Sequence, residues 1–195
     1  MVVVRVGVLA LQGAFREHIL VFEALGASTV AVRLPEQMEG LDGLVLPGGE
    51  STAIAKLMRA YGFYEAIRGR LEAGMAVWGT CAGAILMARE IGDARPDQEP
   101  LGLMDIVVRR NAYGRQVDSF EAPLHFRHIG EPYPGVFIRA PYIESVGEGV
   151  EVLAEHDGRI VAAREERLLA TTFHPELTVD LRVHRFFIEQ IVAVQ

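Results

Sequence analysis

The chain is poor in cysteine and lysine: Cys81 and Lys56 are the only ones among its 195 residues. A single cysteine cannot form an internal disulfide, so nothing requires an oxidising compartment and we expect a cytoplasmic protein. Acidic residues outnumber basic ones, and the formal net charge is -7. This charge disfavours nucleic acids and anionic membranes as partners, since binding phosphate groups requires a positively charged face.

Long hydrophobic runs are missing as well. Residues 73–88 are apolar, but this run contains three glycines and is shorter than the roughly 20 residues of a membrane helix. The apolar start of the chain lacks the basic leader of a signal peptide and is interrupted by Arg5. Half of the residues are apolar, which is enough for a core, so we expect a single domain over residues 1–195 and no membrane partner.

The order of apolar segments predicts an α/β fold. In the first half, short apolar runs alternate with amphipathic stretches, which is typical of strands buried on both faces of a parallel sheet. Predicted strands cover residues 2–11, 29–34, 41–46 and 75–80, and predicted helices cover 14–25, 64–73, 82–91 and a segment capped by Ser51 or Thr52 that ends near 61.

The second half has a different pattern, with shorter runs, denser turn signals and β-branched or aromatic residues that alternate with polar ones. We predict antiparallel strands at 135–139, 150–155, 160–164 and 168–173 and a last helix at 180–194. Asp157 and Gly158 should form a tight hairpin turn, because this pair accommodates positive φ values. The expected architecture is a three-layer, mostly parallel sheet flanked by helices, with additional antiparallel strands.

Cys81 is a candidate nucleophile. It lies between Gly79 and Gly83, where a predicted strand meets a predicted helix. The pattern G-x-C-x-G suits a nucleophile at such a turn, because the turn is too sharp for a Cβ atom on either side. By itself, however, the pattern favours a buried structural thiol, which is the usual state of a free cysteine.

The segment His174-Pro175-Glu176 favours the interpretation of Cys81 as a nucleophile over that of a structural thiol. Pro175 restricts His174 to an extended backbone, and in an extended chain residues 174 and 176 point to the same side. A carboxylate bound to one imidazole nitrogen leaves the other nitrogen free to act as a base. Together with Cys81, these residues predict a Cys-His-Glu triad. For the other five histidines we expect surface or packing roles: His18, His125, His128, His156 and His184.

A glycine-rich loop, Gly48-Gly49-Glu50-Ser51, separates a buried strand from a helix start. Glycines let backbone N-H groups approach a ligand closely, and a helix N-terminus favours negative charge. The phosphate-binding pattern G-x-x-x-x-G-K-[ST] is absent, so the loop is interpreted as an oxyanion or substrate clamp, although it is also a good turn.

Together these segments resemble the class I glutamine amidotransferases, whose glutaminase domains combine a G-x-C-x-G turn with a late H-P-E motif. The similarity is narrower than the class, because it extends to residues 48–52, to 110–120 (RNAYGRQVDSF) and to 137–141 (FIRAP). These additional segments resemble the glutaminase subunits of pyridoxal 5′-phosphate synthases. The resemblance covers essentially the whole chain.

The resemblance implies a flavodoxin-like arrangement of the sheet and a specific reaction. Cys81 would attack the side-chain amide of L-glutamine, with His174 as base and Glu176 orienting it, and no metal or organic cofactor is needed. The expected partner is a synthase subunit that accepts the ammonia and activates this chain. Substrate would be held by Gly49, Glu50, Ser51, Arg110, Ile138 and Arg139, and the oxyanion by N-H groups of Gly48, Gly49 and Ala82.

Alternatives remain at this point. The chain could serve a different amidotransferase, act as a cysteine peptidase-like hydrolase on the same fold, or be a noncatalytic binding or redox subunit. Glutamine turnover, peptide cleavage and the effect of replacing Cys81 distinguish these hypotheses. The helix at 14–25 and the turn at Gln12-Gly13 are candidate docking elements.

Overall fold

The computed structural model describes residues 3–93, 98–110, 119–130 and 132–193. Its helices are α1 (Phe15–Ala24), α2 (Ser51–Ala60), α3 (Phe63–Glu72), α4 (Ala82–Met87) and α5 (Arg182–Phe186), which continues into a π-helical segment, Phe187–Val192. The strands are β1 (Arg5–Leu9), β2 (Ser28–Val32), β3 (Gly43–Leu46), β4 (Ala76–Thr80), β5 (Ala88–Ile91), β6 (Met104–Arg109), β7 (Ser119–Leu124), β8 (Tyr133–Ile138), β9 (Tyr142–Val146), β10 (Glu151–His156), β11 (Arg159–Glu165) and β12 (Leu168–Thr171). Short 3-10 turns form at Pro35–Met38 and Pro175–Leu177.

The main sheet has the order β2-β1-β3-β4-β12-β11-β9-β6-β5, with β10 paired to β11. The first five strands in this order run parallel to one another. Beyond β12 the pairing becomes antiparallel, apart from the parallel pair β5 and β6. Strands β7 and β8 form a separate antiparallel pair. The predicted mostly parallel sheet with antiparallel strands in the second half is therefore confirmed.

Helices cover both faces of the sheet because neighbouring strand residues are buried on opposite sides. Leu44 and Leu46 belong to the core beneath α2, α3 and α4, whereas Val45 belongs to the core beneath α1 and α5. In β4, Val77 and Trp78 divide in the same way. This two-residue period produces three layers, as the sequence predicts.

One predicted helix end and one predicted helix cap are wrong. The helix predicted over residues 82–91 ends at Met87, and Ala88–Ile91 forms β5, paired with β6. A short apolar run does not distinguish a buried helix from a buried strand, and here pairing with a distant strand decides. Helix α2 is capped by the side chain of Glu50, not by Ser51 or Thr52.

The predicted hairpin at Asp157-Gly158 is confirmed. These residues have φ values of 48° and 71° and connect β10 to β11, in which His156 pairs with Arg159. Within the described residues, no helix is long and apolar enough to cross a membrane.

Candidate active site

Cys81 occupies a strained turn between β4 and α4, with φ at 48°. A Cβ atom on Gly83 would lie 1.8 Å from the carbonyl oxygen of Leu46, and one on Gly79 would lie 2.5 Å from the carbonyl group of Gly83. Both flanking positions therefore require glycine, for the steric reason that the sequence pattern indicates. The backbone N-H of Cys81 donates to the carbonyl oxygen of Thr171 at 2.8 Å, which ties the turn to β12.

Strand β12 places His174 beside this turn. It runs parallel to β4 with Thr171 opposite Thr80, so the residues that follow the two strands are neighbours. His174 Nδ1 and Glu176 Oε1 are 2.7 Å apart, and both side chains are largely buried. Pro175–Leu177 form a 3-10 turn, so the extended backbone expected for this segment ends at His174. The predicted contact between His174 and Glu176 forms all the same.

Hydrogen bonding controls the charge of His174. Burial by itself lowers the pKa of the imidazole, but hydrogen bonds with Cys81 and Glu176, and the charges of those groups, outweigh burial and raise the pKa to about 10. Burial would raise the pKa of Glu176, yet attraction to His18 and the hydrogen bond and charge of His174 lower it. A carboxylate thus faces Nδ1 of His174, and Cys81 contributes to keeping the imidazole protonated.

These side chains border a cavity of about 590 Å³. The lining includes all six predicted substrate-binding residues and both Cys81 and His174: Gln12, Gly49, Glu50, Ser51, Cys81, Ala82, Ile85, Arg110, Ile138, Arg139, Pro141 and His174. Of the predicted oxyanion residues, Gly49 and Ala82 line the cavity. Gly48 lies behind the triad, where a Cβ atom would come 2.6 Å from His174 Cε1.

The glycine loop is fixed by the turn before α1. The carbonyl oxygen of Gly48 accepts from the N-H of Ala14 at 3.0 Å, and the N-H of Glu50 donates to Gln12 Oε1 at 2.8 Å. A Cβ atom on Gly13 would lie 1.9 Å from the oxygen of Gly48. The segment that begins α1 and the predicted oxyanion loop are therefore one packed unit.

Glu50 and Ser51 already have partners within the fold. The Glu50 carboxylate accepts from the N-H groups of Thr52 at 3.1 Å and Ala53 at 2.7 Å, which caps α2. Ser51 Oγ accepts from Gln98 Nε2 at 2.9 Å.

Two arginines supply positive charge to the cavity. The guanidinium group of Arg110 donates to the carbonyl oxygen of Asp93 at 2.8 Å, and its buried Nε has no hydrogen-bond partner among the described residues. Arg139 follows β8 with φ at 42°, in the left-handed region. A planar guanidinium matches the two oxygens of an α-carboxylate.

Sequence reasoning missed two buried histidines, His18 and His184. Both side chains are fully enclosed, and His18 Nε2 lies 3.4 Å from Glu176 Oε2. A signal for His18 was available, because it lies on the same helical stripe as Phe15 and Phe22. The surface or packing roles expected for the remaining histidines fit better, since His125 and His128 are exposed.

Residues 111–118, which carry the most specific part of the resemblance, lie outside the described residues. Comparison with known proteins covers the full length instead. A model of the SNO glutamine amidotransferase family matches residues 8–193. A Chloroflexus aggregans protein described as pyridoxal 5′-phosphate synthase subunit PdxT is 57% identical, covering 94% of this chain and 98% of the relative. A PdxT from Herpetosiphon aurantiacus is 58% identical with the same coverage.

A solved structure agrees with these relatives. A crystal structure described as a glutamine amidotransferase has a TM-score of 0.91 and 50% identity, covering 97% of this chain and 99% of its own. The matched family, the relatives and this structure agree over nearly the whole length, and the chain belongs to the SNO glutamine amidotransferase family.

Proposed function

We propose that this chain hydrolyses L-glutamine to L-glutamate and ammonia, and that it supplies the ammonia to a pyridoxal 5′-phosphate synthase in the cytoplasm. The observation that carries the proposal is that Cys81 and His174 line one cavity, with Glu176 bonded to His174 behind it, in a chain that belongs to a glutamine amidotransferase family. The PdxT names of the relatives support the choice of synthase.

The first half-reaction forms a thioester. Cys81 Sγ, whose proton is already held on Nε2 of His174, the nitrogen not engaged by Glu176, attacks the side-chain carbonyl carbon of glutamine. The carbonyl oxygen becomes an oxyanion, for which the N-H groups of Ala82 and the Gly48-Gly49 turn are the proposed donors. When the C-N bond breaks, His174 returns the proton to the leaving nitrogen, and ammonia departs.

In the second half-reaction water is the nucleophile and Cys81 is the leaving group. Water attacks the γ-glutamyl thioester carbon, and His174 takes a proton from it. The C-S bond breaks, the thiol of Cys81 is restored, and glutamate leaves. Glu176 keeps the Nδ1 proton of His174 in place throughout, so that Nε2 alone exchanges protons with substrate.

The arginines provide the proposed specificity for an amino acid. Arg110 and Arg139 line the cavity together with Ile138, opposite the glycine loop of Gly49 and Ser51. A guanidinium pairs with the α-carboxylate, and the loop holds the substrate through its backbone. Because Glu50 caps α2 with its carboxylate and donates its N-H to Gln12, its proposed contribution to substrate binding is to hold the loop in position.

Hydrogen bonds connect the candidate docking helix α1 to the oxyanion loop. Gln12 and Ala14, at the start of α1, hold Glu50 and Gly48 through hydrogen bonds, so a partner that docks on α1 can adjust the oxyanion loop. We expect ammonia release to be slow in isolation and faster with the synthase subunit, because oxyanion donors act only when aimed at the developing charge.

Ammonia release from glutamine, measured with and without the synthase subunit, tests the proposal. A glutamine-like diazo ketone should label Cys81, as located by mass spectrometry, and Cys81→Ala should abolish turnover. Peptide cleavage without glutamine hydrolysis would instead support the cysteine peptidase alternative. An unaltered function of Cys81→Ala would support a noncatalytic or redox subunit, and activation only by another synthase would assign the chain to that enzyme.

A further inference from the structure

His18 and His184 form a buried pair behind the triad. His18 lies on α1 and His184 on α5; the ring of Trp78 packs against both, and that of Phe22 packs against His184. His18 Nδ1 and His184 Nε2 are 2.8 Å apart. Two imidazoles in an otherwise aromatic layer cost free energy of desolvation, so their presence calls for a specific interaction.

That interaction is with Glu176. One carboxylate oxygen, Oε1, bonds His174, whereas Oε2 is buried and accepts no hydrogen bond from the described residues. His18 Nε2 lies 3.4 Å from this oxygen and 3.3 Å from the hydroxyl of Thr80. The hydrogen bond of His18 Nε2 goes to Thr80, and the positive end of the same N-H group lies close enough to Glu176 Oε2 to stabilise its buried charge electrostatically.

The contacts determine which nitrogen of each ring carries a proton. A carboxylate only accepts, so the proton of a neutral His18 belongs on Nε2, facing Glu176. His18 Nδ1 is then a bare acceptor, and His184 Nε2 must donate to it across the 2.8 Å contact. His184 Nδ1, which has no hydrogen-bond partner among the described residues, is left as an unprotonated nitrogen. The opposite assignment would set a lone pair of His18 against the carboxylate.

Both rings are neutral in this arrangement. Burial lowers the pKa of His18 to about 3, although attraction to Glu176 opposes the shift and His184 and His174 reinforce it. Burial also lowers the pKa of His184 to about 3. The groups that face His18 are thus Glu176, His184 and His174, and Glu176 is the only anion among them.

We propose that His18 is a positioning residue of the active site: its Nε2-H, fixed by His184, holds Glu176 in the orientation that sets the Nδ1 proton of His174. His18 does not touch substrate, so it acts on the chemical step through the carboxylate. The inference rests on the proposed roles of Glu176 and His174.

Two amide substitutions separate this role from simple packing. The side-chain nitrogen of glutamine reaches the position of Nε2, whereas that of asparagine reaches only the position of Nδ1. His18→Gln therefore keeps a donor for Glu176, and His18→Asn loses it. We expect His18→Asn to lower kcat about tenfold at nearly constant KM in the complex with the synthase subunit, and His18→Gln to restore most of the loss.

A second measurement does not require glutamine turnover. Without the His18 donor the Glu176 carboxylate is less stable as an anion and supports protonated His174 less well. The pH at half-maximal iodoacetamide alkylation of Cys81 should therefore rise in His18→Asn and stay near wild type in His18→Gln. Phe126→Leu is the control, because Phe126 is buried in the same core but its ring packs against Phe186; it should lower Tm while leaving kcat and the alkylation profile unchanged.

The proposal is overturned if the asparagine and glutamine variants lose kcat equally, or if His18→Asn changes Tm alone, as the Phe126→Leu control does. If the wild-type complex hydrolyses no glutamine, the proposed function fails. The alkylation profiles then still test the effect of His18 on Cys81, and identical profiles for His18→Asn and wild type would refute it.

Discussion

Adding one methyl group at Gly48 should disable the active site although every side chain of the triad and every proposed oxyanion N-H, including that of residue 48, is kept. Gly48 has no left-handed φ, so alanine fits its backbone. The new Cβ, however, would lie 2.6 Å from His174 Cε1, 3.2 Å from His174 Nδ1 and 3.4 Å from Cys81 Cβ. The substitution therefore acts on the imidazole by contact alone.

The size of the effect follows from the first of these distances. Carbon atoms pack at about 3.5 Å or more, so the imidazole must retreat by about 1 Å from its position against Cys81. A displacement of about 1 Å in a catalytic group costs about 100-fold in rate, and we expect that loss in kcat with little change in KM. Overpacking should also destabilise the fold by about 1–3 kcal/mol.

Ammonia release at saturating synthase subunit measures kcat, and thermal unfolding measures stability. Gly69→Ala is the matched control, since Gly69 lies within α3 with nothing within 4 Å of its Cβ position. It should raise stability by about 0.5–1 kcal/mol and leave kcat unchanged. A Gly48→Ala enzyme with kcat within threefold of wild type would refute the steric argument, as would equal losses in both variants.

Three further predictions concern the fold, acid stability and substrate binding. Gly83→Ala should prevent folding to a stable state, because its Cβ meets the backbone oxygen of Leu46 at 1.8 Å, and circular dichroism should show a strongly lowered Tm. The low pKa values of His18 and His184, about 3 against 6.5 when unfolded, mean that the stability that depends on their neutral rings is complete above pH 6.5 and is lost as pH falls toward 3; urea titrations should show that His184→Phe reduces this loss. Arg110→Lys should raise KM for glutamine with little change in kcat, because a lysine cannot make the bidentate contact; a kcat loss at constant KM would contradict its substrate-binding role.

The parts of the site that were predictable depend on short-range patterns. The two glycines around Cys81 and the spacing of His174 and Glu176 express steric and backbone constraints that act within a few residues. The resemblance named six residues for substrate binding, and all six line the cavity; they include Arg110 and Arg139, whose charges alone would equally suit surface salt bridges.

What could not be predicted depends on distant contacts. His18 and His184 are 166 residues apart in sequence, and nothing local in either segment indicates that they meet beside Glu176. Strand β5 was taken for the end of a helix because its pairing with β6, not its composition, decides its structure. The capping role of Glu50 was missed since Ser51 and Thr52 are the more common capping residues.

The position of β12 has a consequence for how the chain is made. β12 lies between β4 and β11, yet it is the last strand of the main sheet to leave the ribosome. Until then β4 presents an unpaired edge, the kind of edge to which other chains can add strands. Cys81, just past that edge, meets His174 only after β12 has been made. A ribosome-bound or truncated chain that lacks β12 therefore carries Cys81 without His174. The addition of this one strand completes both the sheet and the active site.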